Sequence, residues 1–236
     1  MDVSRLHKMY RIALPDQEPF FLDGFEDGIG DFLHYSAQLL ERHPAPKVMV
    51  DIGAHIGTTS ILAAWNGADI VFAYEPSPLV YSKLVTNIIM NGLWGKVIPT
   101  PLAVIAVKSK NTLPMWSPRH GSSGQGSMAL KFNDHIETSV KTISLGEVVD
   151  YVYARYGQID LLKIDTEGAE WHILKDLGPL ELVDRLDIEL HAVDNLKLAS
   201  DDLEKRLRAS GFEVEGVDPF DTDWGKLPHR FVCSRV

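Results

Sequence analysis

An apolar run, Val48-Met49-Val50, ends in Asp51; glycines follow at positions 53 and 57, then the apolar stretch from Ile61 to Trp65. A second apolar run, Ile70 to Tyr74, ends in Glu75. This order predicts strand, tight turn, helix, strand: the first half of a doubly wound sheet, with a ligand crevice at the carboxyl ends of its strands. Gly53 lets backbone approach a ligand closely, and Gly57 lets the new helix sit against the strand. Acids at two successive strand tips suit a ligand rich in hydroxyls and cationic groups. They suit a pyrophosphate poorly.

The pattern continues along the chain. Ser77-Pro78 opens a helix through Leu84 and Ile88, which stops near Asn91-Gly92. Val97 to Val107 is a third strand region broken by Pro99 and Pro101, and Val140 to Ile143 is another strand. Ser144 and Glu147 form a capping box for a helix to about Tyr156. Ile159 to Asp165 is a buried strand ending in a third acid. Thr166 to Glu170 turns into a helix reaching about Leu177, and Arg185 to His191 is the next strand. A helix capped by Ser200 runs to Ala209, and Phe212 to Val217 with His229 to Arg235 make a terminal antiparallel pair. The expected fold is therefore α/β: a Rossmann-like, doubly wound, mostly parallel sheet of seven strands.

Residues 1–46 precede the first core strand and read as an N-terminal cap or lid, and 47–236 as the main domain. Tyr10 to Leu14 and Pro19 to Leu22 are candidate strands, and Phe32 to Arg42 has helical apolar spacing. At 236 residues the chain suits one such domain, and its formal net charge of −10 offers no global field for phosphate backbones. Nucleic acid is thus an unlikely partner. A lone cysteine, Cys233, points to a reducing, cytoplasmic setting. Neither a signal peptide nor a membrane span is expected.

DxGxxxG from Asp51 to Gly57 is not the GxGxxG of nicotinamide sites, which would put glycine where His55 stands. An acid beside that turn suits a ligand with a cationic centre. Glu75, at the next strand tip, can accept both hydroxyls of a ribose.

The segments DIGAHIGTTS, AYEPSP, IDLLKIDTEGAEWHILK and IELH, in that order from about Lys47 to His191, resemble the class I S-adenosylmethionine-dependent methyltransferases. The likeness is closest to the FkbM-type family, with LLKID-x-EGAE its most specific piece. What the resemblance implies is an S-adenosylmethionine cofactor and, commonly, methylation of a hydroxyl on a sugar, polyketide or similar metabolite. By it Asp51, Gly53, Ala54 and Gly57 line the methionine portion, Glu75 holds the ribose, and Pro76 and Leu102-Ala103 lie near the adenine. His55, Thr58 and Asp165 are counted with this cofactor set. His55 departs from the glycine many class I relatives have there. The chain also lacks the Pro-Pro-Tyr or Pro-Pro-Trp motif of amino-directed relatives.

Methyl transfer to a hydroxyl needs an aligned acceptor and a group to take its proton. The candidates are Asp165, Glu167, Glu170, Glu189 and His191. Asp165, Glu189 and His191 could hold Mg2+; the favoured arrangement needs no metal, with His191 as base and Glu189 orienting it. Glu167 and Glu170 read equally well as acids stabilised at a helix start. Lys163, inside a strand, needs a buried partner, for which Glu189 is the expectation. The segment from Ser109 to Met128 reads as a loop over the acceptor pocket, offering Arg119 and His120 to an anionic or hydroxylated substrate. A small-molecule or glycan acceptor is expected. An RNA methyltransferase, or a nucleotide-binding oxidoreductase on a similar scaffold, is the alternative.

Overall fold

The computed structural model describes residues 8–12, 20–24, 29–44, 46–107, 111–118, 135–191, 196–217, 220–222, 225–227 and 230–236. A hairpin, β1 (Lys8–Ile12) and β2 (Phe20–Gly24), leads into α1 (Ile29–Arg42). The expected unit follows: β3 (Val48–Ile52), α2 (Thr58–Trp65), β4 (Ile70–Tyr74) and α3 (Pro78–Met90). Next come β5 (Val97–Thr100), β6 (Ala103–Ile105), β7 (Thr112–Pro118), β8 (His135–Ser144) and α4 (Leu145–Tyr156). β9 (Leu161–Ile164), α5 (Glu170–Ile173), a 3-10 turn (Gly178–Leu182) and β10 (Arg185–Glu189) complete the parallel part. α6 (Leu196–Ala209), β11 (Phe212–Val217), β12 (Phe220–Thr222), β13 (Gly225–Leu227) and β14 (Arg230–Arg235) close the described chain.

The main sheet has seven strands in the order β11-β14-β10-β9-β3-β4-β5. β10, β9, β3, β4 and β5 run parallel, and β14 pairs antiparallel with both β10 and β11. Alternation along each strand divides the core. Val48, Val50, Ile52, Phe72 and Tyr74 pack with residues of α4 and α6; Met49, Val71 and Ala73 pack with Leu39, Ile61, Leu62, Leu84 and Ile88 on the other face. Fully burying one such leucine or isoleucine contributes roughly 1.5–3 kcal/mol, and Leu39, Ile61 and Leu84 are fully enclosed.

Several local expectations change. β5 and β6 part at Pro101, and β6 joins β7 and β8 in a separate three-stranded sheet. Residues 112–118, expected within a loop, form a strand because β8 supplies an antiparallel partner along its whole length. Ser200 lies inside α6 and is buried, so it is no cap. Helix after β9 is confined to α5. The Ser144–Glu147 capping box is formed, but Ser77 caps α3 without its hydroxyl; its backbone N–H donates to Glu75 instead. The helix α1 packs on α2 over a sheet face, where Leu22 of β2 and Leu39 share the core of α2 and α3. Among the described residues no helix is long and apolar enough to cross a membrane.

Candidate active site

The cleft begins where two strand tips touch. Gly53, just past β3, has φ +79°, and a Cβ there would stand 1.7 Å from the backbone carbonyl oxygen of Asp165. Only glycine fits so close an approach. Gly57, at φ +94°, leaves its Cβ position to Leu84 of α3, 2.7 Å away. His55, between them, takes a positive φ of 54° without being glycine, as does Glu167 at 53°. Such strain, of order 1–3 kcal/mol each, is concentrated at functional sites.

One cavity opens above these tips. The turn after β3 contributes Gly53, Ala54, His55 and Thr58, and the end of β4 contributes Glu75, Pro76 and Ser77. Leu102, Ala103 and Met115 form an apolar side. Lys163, Asp165, Thr166 and Glu167 come from β9 and its end, and Tyr35 reaches in from α1. Glu75 is nearly enclosed, and its two oxygens accept from the backbone N–H groups of His55 (3.1 Å) and Ser77 (2.8 Å). Burial pushes its carboxyl up to about 7 against those two hydrogen bonds. Burial pushes His55 down to about 4, leaving its imidazole neutral near pH 7.

Two of the expected cofactor residues, Asp51 and Gly57, stand behind this wall and not in it. Strand register explains Asp51. It is fully buried on the face under α2 and lies directly across from Lys163, which in turn lies across from Asp187. The Ser60 hydroxyl donates to Asp51 at 2.6 Å, and the Lys163 ammonium reaches Asp51 at 3.1 Å and Asp165 at 3.3 Å. Burial opposes the charge on Lys163, and the carboxylates of Asp165 and Asp51 outweigh it, raising its pKa. The partner expected for Lys163, Glu189, is instead 3.4 Å from Arg230, because it sits beyond the registered row.

Asp187 also holds His43 of the α1 end at 3.2 Å and Arg230 at 3.3 Å.

A second cluster adjoins the cavity at Asp165 and Glu167. His191 Nε2 lies 3.5 Å from Glu167 and 3.8 Å from Glu189, while Nδ1 lies 3.1 Å from Glu170. Glu170 is fully buried and accepts from the His191 and Gly168 backbone N–H groups and the Thr166 hydroxyl. It does not line the cavity, where a catalytic residue was expected, and it is Glu170 that contacts the His191 ring at Nδ1, the contact expected of Glu189. Burial works to lower the His191 pKa, but Glu170, then Asp165 and Glu167, outweigh it and push it up to about 10. Burial pushes Glu167 up to about 7, with His191 opposing. Asp165, Glu167 and His191 each offer a ligand atom within 4.8 Å of the others, a set that would fit a divalent cation. Arg119 and His120 lie outside the described residues. Tyr35, absent from the expected set, carries no sequence signal beyond its place in an amphipathic helix.

The methyltransferase FkbM domain profile matches residues 51–214. Methyltransferase sdnD of Sordaria araneosa is 26% identical over 200 residues, covering 72% of this chain and 75% of that protein. Among solved structures, the ribosomal protein L11 methylase of Lactobacillus delbrueckii subsp. bulgaricus superposes with a TM-score of 0.51 at 14% identity, covering 96% and 88% of the two chains. An O-methyltransferase from Bacillus cereus in complex with SAH gives 0.50 at 11% identity, covering 88% and 81%. The fold they share with this chain is Rossmann-like, and the matching domain profile makes the class an S-adenosylmethionine-dependent methyltransferase. Within that class the chain belongs to the FkbM methyltransferase family, whose domain spans most of its length.

Proposed function

We propose that this protein transfers a methyl group from S-adenosylmethionine to a hydroxyl of a small molecule or sugar. The reading rests on one observation above all: a cluster of ionisable groups, Asp165, Glu167 and His191, at the edge of the cavity that Glu75 also lines. Bound S-adenosylmethionine supplies an electrophilic methyl on a sulfonium, so the protein's own work is holding, alignment and proton removal. Glu75, kept in place by two backbone N–H groups, accepts the ribose hydroxyls. Gly53, Ala54, His55 and Thr58 form the floor beneath the methionine portion; Pro76 and Ala103 flank the adenine. Asp51 acts at one remove, through Lys163.

Glu167 takes the acceptor's proton. The carboxylates of Glu170, Asp165 and Glu167 favour the protonated imidazole, which has no lone pair to accept a proton, so Glu167 is preferred to His191 as base. A carboxyl near 7 is matched to the task. His191, oriented by Glu170, keeps Glu167 ionised and in place until it takes that proton. Glu189 tethers Arg230 at the cluster's rim. Residues 1–46 serve as a cap on the domain formed by 47–236, and Arg119 and His120 remain the candidates for contact with an anionic or hydroxylated substrate. A net charge of −10 and the acidic cluster repel a phosphate backbone, and the single buried cysteine suits the cytoplasm.

The cation-free form of this reading is preferred, because Asp165 is already paired with Lys163 and His191 holds a proton. Labelled S-adenosylmethionine offered with a panel of sugars, hydroxylated metabolites and RNA tests the whole proposal. Label should pass to a hydroxyl of a small acceptor, and Glu167→Gln should abolish transfer while retaining S-adenosylhomocysteine binding. Transfer to RNA alone would overturn the acceptor class. Failure to bind S-adenosylhomocysteine would overturn the reading entirely. Loss of transfer in EDTA, restored by Mg2+, would replace the cation-free form with a metal site at Asp165, Glu167 and His191.

A further inference from the structure

The helix α1 contributes one polar atom to the cavity wall that nothing in the described protein satisfies. Tyr35 lines the cavity, and its hydroxyl oxygen is shielded from solvent with no hydrogen-bond partner among the described residues. Leaving a buried hydroxyl unmatched is costly, on the order of 1–3 kcal/mol. Its position is nonetheless held firmly. The Arg230 guanidinium stacks on the ring at 3.8 Å, and Arg230 is itself fixed by Asp187 and Glu189. One residue along α1, the Ser36 hydroxyl lies 2.8 Å from that of Thr59 in α2, and at the helix end His43 is bound to Asp187. Three anchors therefore aim Tyr35, and none of them uses its hydroxyl.

The cavity shows what such a donor is for. Glu75 follows β4 and Asp165 follows β9, so the two acids flank β3 from opposite sides, and Asp165 leads the charges that act on Tyr35. If Glu75 takes the ribose, the amino-acid end of the ligand lies between Asp165 and Tyr35. That end carries an ammonium and a carboxylate. Asp165 suits the ammonium. Among the described residues of the wall the carboxylate finds no uncommitted cation: Lys163 is bound to Asp51 and Asp165, and His55 is neutral near pH 7. A neutral donor must serve, and burial with the nearby Asp165 and Asp187 carboxylates keeps the Tyr35 phenol protonated.

We propose that Tyr35 is a cofactor-binding residue, its hydroxyl donating to the carboxylate of the methionine portion of the S-adenosyl ligand. This deepens the methyltransferase reading and rests on it. It also makes α1 a selector: a ligand without that carboxylate leaves the Tyr35 hydroxyl unmatched.

Titration calorimetry of wild type and Tyr35→Phe with S-adenosylhomocysteine, and with methylthioadenosine, which lacks the amino-acid portion, tests this directly. Tyr35→Phe should weaken S-adenosylhomocysteine about tenfold or more and leave methylthioadenosine affinity unchanged. Because no described residue partners the hydroxyl, the ligand-free Tm of Tyr35→Phe should equal or exceed that of wild type. Unchanged S-adenosylhomocysteine affinity overturns the proposal. So does equal weakening of both ligands, or a lowered ligand-free Tm, since either gives the hydroxyl a structural role. A wild type that binds neither ligand refutes the methyltransferase reading itself, a different outcome from any of these.

Discussion

Glu170 grips His191 twice, accepting from its backbone N–H at 2.8 Å and lying 3.1 Å from its ring Nδ1. One buried carboxylate thereby sets both the path of the chain after β10 and the orientation of the imidazole. With Nδ1 engaged, Nε2 is the nitrogen presented to Glu167.

Replacing that carboxylate with an amide separates the two tasks. Glu170→Gln should bring the His191 pKa down from about 10 toward its ordinary value, read by NMR titration of the ring. Turnover should fall about tenfold or more, with S-adenosylhomocysteine affinity retained. The amide must also turn its NH2 toward donors now satisfied by the carboxylate, costing roughly 1–3 kcal/mol in urea unfolding. An unmoved His191 titration would remove Glu170 from its orienting role.

On the proposed reading, Glu75 should make cofactor binding pH-dependent. Its carboxyl, raised by burial to about 7, must be ionised to accept two hydroxyls. S-adenosylhomocysteine affinity should therefore rise with pH through about 7, and Glu75→Gln should bind more weakly with that dependence gone. The sign for folding is opposite. A carboxyl whose folded pKa is raised takes up its proton more readily when folded, so the empty protein loses stability as pH climbs from the ordinary carboxyl range through about 7. Calorimetric melts of the glutamine variant should lack that loss.

The registered row beneath α2 is a matter of stability. Asp51 is fully buried and Lys163 nearly so, and removing either leaves the other charge without its neighbour. Lys163→Met should destabilise by about 3–5 kcal/mol in urea unfolding. Asp51→Leu combined with Lys163→Met should recover part of that loss, because an apolar pair strands no charge between Asp51 and Lys163. A double variant no better than the single would show that the Asp165 contact dominates.

Gly53→Ala should abolish cofactor binding, since its Cβ would fall 1.7 Å from the Asp165 carbonyl oxygen and the tips of β3 and β9 would have to part. Calorimetry with S-adenosylhomocysteine checks it. Binding within about twofold of wild type would mean that the strand tips yield without disturbing the cleft.

The strands, the two glycine-dependent turns and the acids at the strand tips are written into short stretches of chain. Apolar runs of β period, positive-φ glycines and capping residues act over a few positions, so the amino-acid sequence alone determined the doubly wound sheet and the place of its cleft. What it could not determine is who faces whom across strands. Asp51 read as a ligand-facing acid until register placed it opposite Lys163, and Glu189 read as the partner of Lys163 until the same register set it beside Arg230. Residues 112–118 read as loop until β8 gave their backbone a ladder. Tyr35 was invisible because its place in the cavity wall depends on Arg230, almost two hundred residues later in the chain, which stacks on its ring. Contacts of that separation are chosen by packing and by the need to pair buried charge, which only the closed tertiary structure decides.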